Sequence, residues 1–106
     1  MVEDKLITEF EQAMFDIYHR ALKEAKYKAS RFLDMLHENG GLLTAKMLIN
    51  SPKVSDGYTA LWERQRLDLT VEAVIVENQK WHTLFTEEEL NNCKKRLHSY
   101  GYIKSL

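Results

Sequence analysis

The sequence predicts an all-α fold, a single domain over residues 1–106 with five or six helices around one core and a long N-terminal helix as the spine. Three observations carry this. Apolar residues recur at three- and four-residue steps in most segments. Residues that start and stop helices fall between those segments. Only one stretch, Val71–Val76, has strand-like composition, and a lone strand would leave both edges unpaired.

The first helix runs from about residue 4 to 25. Leu6, Phe10, Ala13, Met14, Ile17, Ala21 and Ala25 make its apolar stripe, which Ile7 and Tyr18 broaden. Glu3 and Asp4 suit the positive end of its dipole; Lys23 and Lys26 suit the other. A second helix is expected from about Tyr27 to Glu38, with Ala29, Phe32, Leu33 and Leu36 inward. No glycine or proline separates the two. One straight helix of that combined length would reach roughly 50 Å, too long for a domain of this size. Two helices are therefore expected.

Asn39-Gly40-Gly41 ends the second helix, because glycine accepts the left-handed closing conformation. A short third helix follows over Leu42–Ile49, stopped by Asn50-Ser51-Pro52. Residues 50–57 form a loop, with Ser55 or Asp56 placed to cap a fourth helix that carries Tyr58, Leu61, Trp62 and Gln65 on one face. Asp68 is read as the cap of a fifth helix, Leu69–Asn78, with Glu72 in its first turn. Thr86-Glu87-Glu88-Glu89 is a capping box, and Phe85 with Leu90 supplies a hydrophobic staple. The last helix turns Leu90, Cys93 and Leu97 inward and stops at Gly101.

Composition narrows the function classes. The formal net charge is −1, from 15 basic and 16 acidic side chains. Phosphate-driven binding to nucleic acid shows as a basic excess, and there is none overall. A single cysteine permits no intrachain disulfide, which favours a reducing compartment. The N-terminus lacks a basic region followed by an apolar run, and no apolar stretch approaches the ~18 residues of a membrane span. A cytoplasmic protein without a membrane segment is expected.

Chemical motifs are sparse. Gly40-Gly41 follows no strand and belongs to no phosphate-binding pattern. His19, His37, His82 and His98 stand singly, with no pair at metal-ligand spacing, so neither metal nor cofactor is expected. Cys93 occupies a core position on its helix. The candidate site is the corner between the fourth and fifth helices, where Tyr58, Trp62, Arg64, Arg66, Asp68 and Glu72 crowd together. They could line a polar pocket. The favoured reading is structural: Trp62 as core, Asp68 as a cap and an arginine–acid pair explain the same residue types fully. Read as helix-turn-helix, the corner would present an acidic recognition helix bearing Glu72 and Glu77, which phosphate repels. Lys23, Lys26, Lys28 and Arg31 form a local basic cluster of the kind that usually makes a solvated face.

Gly40-Gly41-Leu42, Gly57-Tyr58, Leu61-Trp62, Arg66-Leu67-Asp68-Leu69-Thr70-Val71-Glu72 and the Leu84–Leu90 run resemble a group of small uncharacterised bacterial and phage-type proteins. The resemblance covers most of the chain from about Phe10 onward. It implies a bacterial or phage-type cytoplasmic protein and brings no activity or catalytic residue.

The function expected is a protein–protein interaction module, with another protein or a second copy as partner. The motive is surplus apolar surface at Ile7, Tyr18, Met35, Met47 and Trp81. Two alternatives stay open: a nucleic-acid-binding protein with a local basic face, and an enzyme with a pocket at the Trp62–Glu72 corner.

Overall fold

The architecture comes from a computed structural model that describes residues 2–104. Six α-helices and two 3-10 segments follow one another, with no strand among the described residues. The helices are α1 (Val2–Ala25), α2 (Ser30–Asn39), α3 (Gly41–Ile49), α4 (Asp56–Glu63), α5 (Val71–Glu77) and α6 (Glu87–Ser99). The 3-10 segments are Leu67–Leu69, before α5, and Gln79–Leu84, after it.

Helix α1 is 24 residues, about 36 Å at 1.5 Å per residue. The longest dimension of the molecule is 39 Å. A continuous α1–α2 rod could not fit, and the chain breaks at Lys26, which takes the left-handed conformation with φ 56°. That turn lets the Tyr27 amide reach back to the Ala21 carbonyl at 3.0 Å. The second helix therefore starts at Ser30, three residues later than its apolar spacing suggested. Lys26 is a lysine at a position where glycine is the usual signal, so nothing local announced the break.

The next turn uses both glycines, for different reasons. Gly40 has φ 80° and closes α2 through its amide to the Leu36 carbonyl, 2.9 Å. Gly41 starts α3 against the backbone of α1: a Cβ there would lie 2.7 Å from Glu11 Cα. The second glycine sets how closely α1 and α3 pack.

Helix α4 starts at Ser55, whose hydroxyl accepts the Tyr58 amide at 3.1 Å. It ends with Gln65 left-handed (φ 60°) and the Arg66 amide returning to the Leu61 carbonyl at 2.8 Å. Gly101 (φ 81°) closes α6 the same way, with Tyr102 bonded back to Leu97 at 2.8 Å. Both are Schellman closures. The cap of α5 is Thr70, not Asp68: the Thr70 hydroxyl accepts the Ala73 amide at 3.2 Å. Asp68 lies inside a 3-10 turn, where its carboxylate faces Arg66. The capping box at Thr86 and Glu89 forms as its sequence predicts.

The main core gathers Phe10, Met14, Ile17, Leu36, Ile49, Ile75 and Cys93. Phe10 meets Trp81 and Phe85 edge-on, with ring centroids 5.3 and 5.4 Å apart. The β-branched run is the buried helix α5; Val71, Ala73 and Ile75 are almost wholly enclosed. Packing on several sides outweighs the modest preference of such residues for strand. No helix among the described residues is long and apolar enough to cross a membrane.

Candidate functional site

The corner residues do not converge on one pocket. Arg66 forks onto Asp68 with two 3.0 Å bonds and reaches Glu24 of α1 at 2.6 Å. Arg20 binds Glu24 from the other side at 2.8 Å. Arg20 and then Arg66 hold the Glu24 carboxyl at about 2. This network ties the corner to the end of α1 at the surface, where ion pairs contribute little stability. Arg64 caps its own helix through the Ala60 carbonyl at 2.9 Å and lies over the Tyr27 ring. Trp62 is 46% exposed and touches Tyr100 edge-on, so it is not the core residue its size suggested.

Tyr58 and Glu72 face the other way, into the protein. Tyr58 is buried against Tyr100, and its hydroxyl has no hydrogen-bond partner among the described residues. Glu72 is buried and accepts from Arg96 at 3.0 Å. Burial raises the Glu72 carboxyl above its ordinary value, and Arg96 offsets only part of that. The same guanidinium donates to the Leu48 carbonyl at 3.0 Å and to the Ser51 carbonyl. Arg96 therefore fastens α6 and α5 to the end of α3. Beside it, Glu89 accepts from Lys46 and Asn50, both at 2.8 Å. Burial pushes Glu89 upward, but Lys46, Asn50 and the Thr86 amide outweigh this and hold it at about 2. Cys93 is buried, and burial, then the Glu72 charge, pushes its thiol up to about 12. A protonated, enclosed thiol is a poor nucleophile.

Through Glu72, Leu48 and Ser51, the buried Arg96 fixes the far wall of a cleft of about 490 Å³, within the size range of small-ligand sites. One wall is the second half of α1 with Ile17, Tyr18 and Ala21. The left-handed turn at Lys26 brings Tyr27 and the N-terminal part of α2, with Phe32 and Met35, to a second wall. The α3–α4 loop supplies Ser51 and Val54, and α4 supplies Gly57, Tyr58 and Leu61. Glu72 and Thr70 reach its lining from α5 and its cap. Thr70 is already satisfied, donating to the Leu67 carbonyl at 2.7 Å, and Glu72 is occupied by Arg96. The interior is mostly apolar, with aromatic rings on two sides.

The mouth has a different character. Lys28, Arg31 and Lys53 line it and are exposed, and none forms an ion pair among the described residues. Asp56 is the one exposed acid of the lining. Of the corner residues, only Tyr58 and Glu72 belong to the cleft. The sequence held two traces of the rest: Tyr18 broadens the apolar stripe of α1, and Lys28 and Arg31 belong to the basic cluster. Neither trace says that Tyr18, Tyr27 and Phe32 meet, because that depends on the turn at Lys26. Among the described residues no three His, Cys, Asp or Glu side chains are grouped to hold a metal ion. No family model, curated protein or solved structure matches the chain.

Proposed function

We propose that this chain is a protein-interaction module that holds an apolar segment of its partner in the cleft between α1, α2 and the α3–α4 loop. The observation that carries this reading is the cleft itself, about 490 Å³ with Tyr18, Tyr27, Phe32 and Met35 on its walls. Each bulky apolar side chain moved there from water would contribute about 1.5–3 kcal/mol, so a few anchors could sustain binding. Of the polar groups in its interior, Ser55 and Thr70 are engaged in caps and Glu72 in an ion pair, which supports binding over catalysis. The partner is a different chain in this reading. The surplus apolar surface expected at five side chains, for another protein or a second copy, is not there: Tyr18 and Trp81 are buried, Ile7 and Met35 are partly buried, and only Met47 is exposed, so the cleft alone carries the reading.

A cleft-blocking variant tests this. A Cβ added to Gly57 would meet Tyr27 and Ser55 only at 3.8 Å, and the backbone there is ordinary helix. Gly57→Phe should fold normally and fill the gap toward Tyr27. Random peptides displayed on phage are selected on the wild type and then tested on Gly57→Phe, with Val54→Trp as a second blocked form. Peptides with bulky apolar anchors should be enriched on the wild type and lost on both variants. Equal binding to all three proteins would refute the cleft as the site.

A further inference from the structure

The cleft reading leaves the chemistry of the occupant open, and the mouth of the cleft narrows it. Lys28, Arg31 and Lys53 come from three places: the α1–α2 turn, the first turn of α2, and the α3–α4 loop. Each is exposed, and none has a carboxylate partner among the described residues. Other cations such as Lys23, Lys94 and Lys95 also form no ion pair among the described residues, but these three share the lining of one cleft. Three cations face one acid, Asp56, which sits in the first turn of α4 where the helix dipole favours it. The first turn of α2 adds to the positive side, since no side chain caps it and it carries no acid. The protein as a whole is near neutral, at −1. The positive charge at the mouth is thus a local arrangement and not a reflection of overall composition.

We infer that the cleft takes an acidic peptide segment of a partner protein, one that seats apolar side chains inside and sets carboxylates against Lys28, Arg31 and Lys53 at the mouth. This rests on the cleft being the binding site. A nucleic acid would match the cations and could stack bases on the aromatic walls, but the near-neutral chain, at −1, lacks the basic excess that phosphate-driven binding shows. A peptide that alternates bulky apolar and acidic residues satisfies both parts. Arginine and lysine in this setting steer the approach of the partner and set its register, and the apolar anchors supply most of the affinity.

The experiment compares enriched peptides on four proteins: the wild type, Gly57→Phe, the triple variant K28E/R31E/K53E, and a control reversed elsewhere, K95E/K104E. The three rim residues are exposed and unpaired, so the triple variant should keep the wild-type melting curve. Three surface pairs together amount to roughly tenfold in affinity. Enriched peptides should carry carboxylates beside their apolar anchors, bind the triple variant about tenfold or more weaker, and bind the control normally. Their wild-type affinity should fall as salt rises. Peptides that Gly57→Phe blocks, but that are not acidic and ignore the triple reversal, would overturn the acidic-partner inference and leave the cleft reading intact. Peptides indifferent to Gly57→Phe would overturn both. Competition by mixed-sequence DNA, with a steep salt slope removed by the triple reversal, would also overturn the inference, in favour of a nucleic acid.

Discussion

Arg96 is the side chain on which the far wall of the cleft depends, and replacing it by methionine tests the structural account most sharply. Its side chain is 15% exposed and that of Glu72 is 4% exposed, so this is a buried pair. Removing one member leaves the other as an uncompensated buried charge, at a cost of about 3–5 kcal/mol. The Leu48 and Ser51 carbonyls also lose their donor, but near the loop they can turn to water, so they add little. A chain of this length has about 5–15 kcal/mol to lose. Arg96→Met should therefore remove a large part of its stability. With a urea slope of about 2 kcal/mol per M, the midpoint should fall by about 2 M, followed by far-UV circular dichroism at pH 7. The sign of the pH dependence is an internal check. Glu72, already raised by burial, rises further without Arg96, and its unfolded value is 4.5. The folded variant then binds protons more readily than the unfolded chain, so the defect should shrink as pH falls toward 4.5. Replacing both residues, E72M/R96M, should recover most of the loss, because well-packed apolar side chains commonly match a buried pair. A midpoint shift under about 0.5 M at pH 7, or a defect that grows on acidification, would refute the reasoning.

Other predictions follow from single contacts. Gly41→Ala should cost about 1–3 kcal/mol, the usual cost of overpacking, because its Cβ would stand 2.7 Å from Glu11 Cα; denaturant unfolding measures it. Glu89 is held at about 2 against an ordinary 4.5, so its contribution is complete above about pH 4.5 and is lost as pH falls toward 2. Glu89→Gln should flatten that part of the stability profile and cost about 1–3 kcal/mol at pH 7. Tyr58→Phe should leave stability unchanged or raise it by up to about 1 kcal/mol, since the hydroxyl it removes is buried without a partner. Light scattering during size-exclusion chromatography should show a monomer across a concentration series. A stable dimer would return attention to the exposed face bearing Leu43 and Met47.

The parts of the fold legible in the sequence were those set by local rules. The Thr86 capping box, the Gly40 stop and the Gly101 stop each depend on residues within one turn. The apolar stripe of α1 named Phe10, Met14 and Ile17, which lie in the main core. What local rules missed were the choices made by tertiary packing. Lys26 and Gln65 take left-handed conformations without being glycine. Thr70 caps α5 while Asp68, the better cap on paper, is drawn to Arg66. Trp62 stays half-exposed, while Tyr58 and Leu61 of the same helix are buried. The candidate site fared likewise. The corner stood out because its residue types are unusual together, but the cleft is assembled from segments far apart in sequence. Only Tyr58 and Glu72 are common to both.

The central claim is that the partner is held in the cleft. The most direct measurement is a two-dimensional amide NMR titration of the labelled protein with an enriched peptide. The account predicts that the amides that shift belong to the cleft, at Tyr18, Tyr27–Phe32, Val54–Gly57 and Leu69–Glu72, with Leu43, Met47 and Trp62 unmoved. Shifts centred on Leu43 and Met47, or on Trp62, with a silent cleft, would contradict it.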